Sequence, residues 1–176
     1  MAVLDITYEP NPILREKAKR IKVFDAGMRK LAADMFDTMH ASKGVGLAAP
    51  QVGRSIRLLV AELEPDKREN ERGFKVALVN PEIVKVSDEM VSDIEGCLSI
   101  PGWVGDVPRH QSVTVKAQTP EGKEVRIKAD DYFARVLQHE IDHLNGILFT
   151  DRIEDIKTLR RIDPEASEEE VEMMEV

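Results

Sequence analysis

The sequence predicts an α+β fold, with mainly antiparallel strands wrapped around a central helix and a flanking N-terminal helix. Three observations carry this expectation. Apolar residues recur at helical spacing in two stretches, Leu31, Ala32, Met35, Phe36 and Met39 in the first, and Phe133, Val136, Leu137, Ile141 and Leu144 in the second. Between them lie several short runs of alternating apolar and polar residues, joined by turn signals. No repeat and no long linker divides the 176 residues, a length that suits one domain with a sizeable core.

The elements follow in order. Asn11-Pro12 reads as a helix cap followed by proline at the first helical position, opening a short helix through residue 19. A longer helix is expected over residues 25–42. Its methionines read as core filler rather than metal ligands, and His40, at its end, as a surface or capping residue. Next comes Gly44-Val45-Gly46-Leu47-Ala48-Ala49-Pro50-Gln51-Val52-Gly53. Glycine there allows close approach of another backbone, but the Lys-Ser/Thr of a phosphate loop is missing, and bare composition makes this only a loop. Residues 57–62 and 74–80 read as strands flanking a charged, solvated connection over 64–73, and 82–89 as a further strand. Residues 111–118 and 123–129 alternate cleanly around Thr119-Pro120-Glu121-Gly122, a hairpin. Asp130 or Asp131 caps the second helix, and Asn145-Gly146 stops it. Residues 151–162 read as another short helix. Asp163-Pro164 opens a last segment, either a helix from Ser167 with Glu170 completing a capping box or a mobile tail.

Composition narrows the class. Apolar content of 42% and charged content of 33% describe a soluble globular protein, and no apolar run is long enough to span a bilayer. The N-terminus is neither a secretory signal nor a transit sequence, so a cytoplasmic, bacterial location is expected. The net charge of −8 is concentrated after residue 162, where acidic side chains are unaccompanied by basic ones. The nearly neutral body offers no field suited to nucleic acid. A single cysteine, Cys97, excludes an internal disulfide.

The second helix carries Gln138-His139-Glu140-Ile141-Asp142-His143-Leu144. Residues four apart share a helix face, so His139 and His143 can bind one metal ion from one side. Glu140 projects from the neighbouring face, within reach of a proton on water beside that metal. The alternative is a pair of satisfied core histidines. Two histidines and a water leave a tetrahedral position empty, so a third protein ligand is required. The only cysteine sits in Glu95-Gly96-Cys97-Leu98-Ser99-Ile100-Pro101-Gly102, and a thiolate binds divalent metals well. Cys97, His139 and His143 plus an open position make the ligand pattern of a catalytic site.

Three blocks in this order, the glycine-alanine stretch ending in Gln51, Glu95 to Ser99, and Gln138 to Leu144, resemble peptide deformylase. The resemblance runs to about residue 153, giving a catalytic domain over 1–153 and a C-terminal helix and acidic tail over 154–176. It implies that Cys97, His139 and His143 bind one divalent metal, Fe²⁺ in the cell, with Zn²⁺, Ni²⁺ or Co²⁺ also suited to such a donor set. It implies Glu140 as general base and then acid, and the Gln51 amide with the Leu98 backbone N–H as oxyanion donors. Val45, Gly46 and Gly96 would pair with the substrate as an added strand. Val136 would line an apolar pocket for the methionine. The implied substrate is the formyl-methionyl terminus of a nascent chain, and the products are formate and a free amine. Arg109 is expected to pair with Glu95, and His110 to be exposed near a strand start.

Some relatives dock on the ribosome near the exit tunnel through a basic C-terminal segment. Here that segment ends acidic, and only Lys157, Arg160 and Arg161 form a basic cluster. The segment after Pro101 lacks the basic residue some relatives carry near Val104. The rival reading is a zinc peptidase bearing the same His-Glu-x-x-His. One such class places a third histidine where this chain has Phe149, and a late glutamate such as Glu165 serves only if the tail folds back. A metal-stabilised binding module would need a fourth protein ligand, which the blocks do not offer.

Overall fold

A computed structural model describes residues 2–65 and 73–162. Two α-helices, α1 (Ala26–Ala41) and α2 (Asp131–Leu144), pack with two antiparallel sheets. The larger sheet has five strands in the order β1 (Gly46–Ala48), β2 (Leu58–Leu63), β3 (Phe74–Val86), β6 (Ser112–Gln118) and β7 (Glu124–Asp130). The smaller has β4 (Met90–Cys97), β5 (Ile100–His110) and the short β8 (Arg160–Arg161).

Strand β2 explains how the layers assemble. Its first four residues, Leu58 to Ala61, are all buried, as a strand covered on both faces requires. Side chains alternate between faces along a strand, so Leu58 and Val60 meet Met35 and Met39 of α1, while Leu59 meets Leu137 and Ile141 of α2. Truncating such a fully buried leucine to alanine costs about 2–5 kcal/mol. Both helices begin where the sequence places them. The Asp25 side chain accepts from the Met28 N–H at 3.0 Å and caps α1, and Asp130 occupies the cap position of α2. Gly146, at φ +72°, follows the last turn of α2 in the left-handed conformation that glycine adopts most readily.

Several expectations need correction. The helix expected over 11–19 is one 3-10 turn, Pro12–Arg15, although Asn11 does cap it. The chain then extends because Ala18 N–H donates to Leu144 O at 2.9 Å and Lys19 bridges to the Ser55–Arg57 backbone. The strands expected over 74–80 and 82–89 are one strand, β3, with a register shift between Val79 and Glu82. Asn80, at φ +50°, makes that irregularity possible, and its amide both donates to and accepts from the Ile21 backbone, at 2.9 and 2.8 Å. Strands β4 and β5, the longest hairpin ladder, were not expected at all. The helix expected over 151–162 is replaced by 3-10 turns at Phe149–Arg152 and Ile156–Thr158 and by β8 pairing with Trp103 and Val104. His40 is exposed as expected, 2.9 Å from Glu62. His110 is half-buried at the end of β5, with Nδ1 2.8 Å from Ser87 O. The tail segment from residue 163, and most of the connection over 64–73, lie outside the described residues.

Candidate metal centre

The site forms where the end of β4 meets the inward face of α2. Cys97 is the last residue of β4, and Leu98 and Ser99 turn the chain so that Cys97 faces Ile100 of β5. His139 and His143 lie one turn apart on α2, their ring centroids 5.0 Å apart. Cys97, His139 and His143 are all buried, and each offers a ligand atom within 4.8 Å of the others. Cys97 Sγ lies 3.3 Å from His143 Nε2.

The surroundings fit a cation. Glu95 Oε1 lies 2.8 Å from His139 Nδ1, which fixes the ring and leaves Nε2 for the space near Cys97. That Nε2 is buried with no hydrogen-bond partner among the described residues. Burial alone would lower the pKa of His139, but the adjacent Cys97 sulfur and Glu95 carboxylate outweigh it and push it up to about 10. The protein therefore favours positive charge at this spot. His143 is held well below its ordinary pKa by burial, then by charge on His139 and Arg109.

Behind His139 stands a largely buried ion cluster. Glu95 accepts from Arg109 Nε and Nη2, each at 2.9 Å, and from Arg135 Nη1 at 2.6 Å. Arg109 Nη1 also donates to Asp142 Oδ2 at 2.6 Å, and Arg152 holds the other Asp142 oxygen at 2.8 Å. Burial would raise the Glu95 pKa, but the bonds from Arg109 and His139 hold it well below the usual carboxylate range. The expected Arg109–Glu95 pair is present. Arg135 was not singled out from the sequence, though a signal existed: it lies one turn before His139 on the inward face of α2, where a cation needs a buried acid.

Glu140 is equally buried, and neither of its oxygens has a hydrogen-bond partner among the described residues. Burial chiefly pushes its pKa up to about 7. A Cβ at Gly46 would overlap the Glu140 carboxylate, so glycine is what admits the acid here. Gln51 is buried in the 3-10 turn Ala49–Val52. Its Oε1 accepts from Ala48 N–H at 2.8 Å, and its Nε2 points to Ser99 Oγ at 3.2 Å and Cys97 Sγ at 3.6 Å. Ser99 is buried beside the amide, and no local sequence signal marks its contact with Gln51.

Val45 and Val136 share a small apolar cluster with Ala61, Phe74, Val76 and Tyr132. Gly46 lies on β1, an edge strand of the larger sheet, and Gly96 on β4, an edge strand of the smaller. At the position where the rival peptidase class carries a ligand, Phe149 is buried 6.4 Å from the His139 ring and has no donor atom to offer. Glu165 lies outside the described residues.

The sequence model described as polypeptide deformylase matches residues 3–159. The chain is 54% identical over 169 residues to the peptide deformylase of Thermomicrobium roseum, covering 96% of each. It is similar to the crystal structure of a peptide deformylase from Legionella pneumophila, with a TM-score of 0.79 and 43% identity over 89% of each chain. It is also similar to the Met-Ala-Ser-bound class I type b peptide deformylase of Acinetobacter baumannii, with a TM-score of 0.81, 39% identity, and coverage of 86% of this chain and 99% of that one. The family match spans nearly all the described residues, and the chain belongs to the polypeptide deformylase family.

Proposed function

We propose that this protein hydrolyses the N-formyl group from the formyl-methionyl terminus of nascent polypeptides, releasing formate and a free α-amine. Its homologues carry the name peptide deformylase, and that one relative is a complex with Met-Ala-Ser supports the reading, because such a peptide is what deformylation leaves. The carrying observation is the convergence of Cys97, His139 and His143, next in the chain to a buried Glu140 carboxylate that has no hydrogen-bond partner among the described residues.

Cys97, His139 and His143 would hold one divalent cation, Fe²⁺ in the cell, with Zn²⁺, Ni²⁺ or Co²⁺ acceptable to the same donors. Such an ion acts as a Lewis acid and lowers the pKa of water it binds toward neutrality. Glu140 then takes the proton of the water that attacks the formyl carbon and delivers it to the departing amine as the C–N bond breaks. A carboxyl poised near 7 can do both at cytoplasmic pH. The Gln51 amide and the Leu98 N–H donate to the oxygen on which negative charge develops. Gln51 is held by Ala48 and Ser99 for that purpose and, as a carboxamide, donates without titrating. The substrate backbone adds to the open edges at Val45, Gly46 and Gly96, and the methionine side chain lies against Val136.

In this reading the strands wrap α2 as the central, motif-bearing helix. The catalytic unit spans 1–153, and 154–176 is an appendage. No helix among the described residues is long and apolar enough to cross a membrane. We place the enzyme in the bacterial cytoplasm, where nascent chains emerge, and the basic Lys157, Arg160 and Arg161 are its candidate contact with the ribosome.

The test is product analysis on formyl-Met-Ala-Ser with the metal-loaded enzyme. Formate release with every peptide bond intact supports the proposal. Cleavage of internal bonds in unformylated peptides would favour the peptidase instead.

A further inference from the structure

The helix that carries His139 and His143 presents another face to a second cavity. Ile141 and Asn145 lie on the side of α2 turned away from both histidines. They border an open cleft of about 610 Å³, a size suited to a small organic ligand. Lys17, Arg20, Arg57 and Arg152 line it, against Glu82 and Asp142.

These charges are not equivalent. Asp142 is already committed to Arg109 and Arg152. Among the described residues, Lys17 and Arg20 form no ion pair or hydrogen bond, and Arg57 has no carboxylate within pairing distance. Arg57 is held rigidly all the same. It donates to Leu144 O at 2.8 Å and to Asn145 Oδ1 at 3.1 Å, across the carbonyl end of α2. Burial, and then the nearby charge of Arg20, lower its pKa, against the opposing pull of Glu82. The cleft thus holds three cations facing one carboxylate, Glu82, on a chain whose net charge is −8. Ala18, Pro81, Ile83 and Ile141 add apolar surface beside them.

We propose that this cleft is a binding site for a phosphate ester, separate from the metal centre. Two guanidinium groups, one of them preorganised, match phosphate oxygens in geometry as well as charge. The apolar surface suits the organic body that carries the phosphate. A bare anion would leave most of the volume unused.

The probes are ADP and a five-nucleotide single-stranded RNA, each titrated at low salt into the full-length zinc-loaded enzyme. The readout is the amide shifts of Arg20, Arg57 and Asn145. The expected result is saturable binding of at least one probe at these residues, weakening with salt. Binding of ADP alone identifies a free nucleotide as the source of the phosphate, and binding of RNA alone identifies a polynucleotide backbone. The Lys17→Ala/Arg20→Ala double variant, which removes two exposed and unpaired side chains, should weaken binding at least about tenfold. It should leave formate release unchanged. Glu82→Gln, which removes the opposing carboxylate, should tighten binding by about threefold. Absence of saturable binding of either probe up to about 10 mM, or unchanged binding in the double variant, would overturn the proposal.

Discussion

Glu95 and Glu140 are the same residue type, both sealed from solvent, and their pKa values are pushed in opposite directions. Glu95 sits behind His139, where Arg109, Arg135 and the imidazole saturate it. Glu140 is the next residue along α2, and neither of its oxygens has a hydrogen-bond partner among the described residues. Burial pushes both carboxyl groups toward the neutral form, and only the neighbours of Glu95 outweigh it. The contrast suits the two jobs proposed for them. A carboxylate that must hold a ring still needs fixed charge and several donors. A carboxyl that must pass a proton needs a pKa near the working pH and no competing bond.

The sharpest way to break this contrast is to neutralise each partner in turn. Glu140→Gln should reduce the kcat of formate release by about 10²–10⁴-fold while metal content is retained. Turnover near that of the parent enzyme would remove Glu140 from the reaction. Glu95→Ala strands Arg109 and Arg135 in the interior and should cost about 3–5 kcal/mol in urea unfolding. Here a small loss would show the cluster to be less coupled than its geometry implies.

The two groups should also oppose each other in the pH dependence of stability of the metal-free chain. The folded-state pKa of Glu140 is raised from 4.5 to about 7. Its stabilising contribution is therefore fully present below 4.5 and lost as the pH rises through 7. That loss amounts to at most about 3 kcal/mol by linkage and is absent in Glu140→Gln. The folded-state pKa of Glu95 is depressed, so its contribution is present above 4.5 and lost as the pH falls through its lower folded value. Unfolding curves across this range, for the parent and the Glu140→Gln variant, would check both slopes. The smallest effect is at Gly46. Gly46→Ala drives a methyl group into the Glu140 carboxylate and should cost about 1–3 kcal/mol in stability, with reduced turnover. Unchanged activity would mean that Glu140 can sit elsewhere and still work.

The legibility of the sequence follows a related division. Both helices and the β6–β7 hairpin are readable because each carries its own period and its own stop signals. Strands β4 and β5 are not. Gly96 interrupts the first, while Pro101, Gly102, Gly105 and Pro108 punctuate the second, and these residues read as turns. What makes them strands is their long mutual pairing from Met90–His110 to Cys97–Ile100, a tertiary fact absent from any local window. The 3-10 turn at Pro12–Arg15 stops early for the same reason, since the backbone of residues 18 and 19 is claimed by α2 and by the segment before β2. At the site, Cys97, His139 and His143 stand out because each type has few other uses in such patterns, and the fold brings them together. Arg135 and Ser99 are common residues whose significance lies in what they touch.

The central claim is that one sulfur and two imidazoles hold a single divalent cation. X-ray absorption at the metal edge of the anaerobically purified, iron-loaded enzyme tests it most directly. The expected spectrum has one sulfur scatterer at thiolate distance and two imidazole nitrogens, with the sulfur lost in Cys97→Ala. A shell of nitrogen and oxygen alone in the parent enzyme would contradict it.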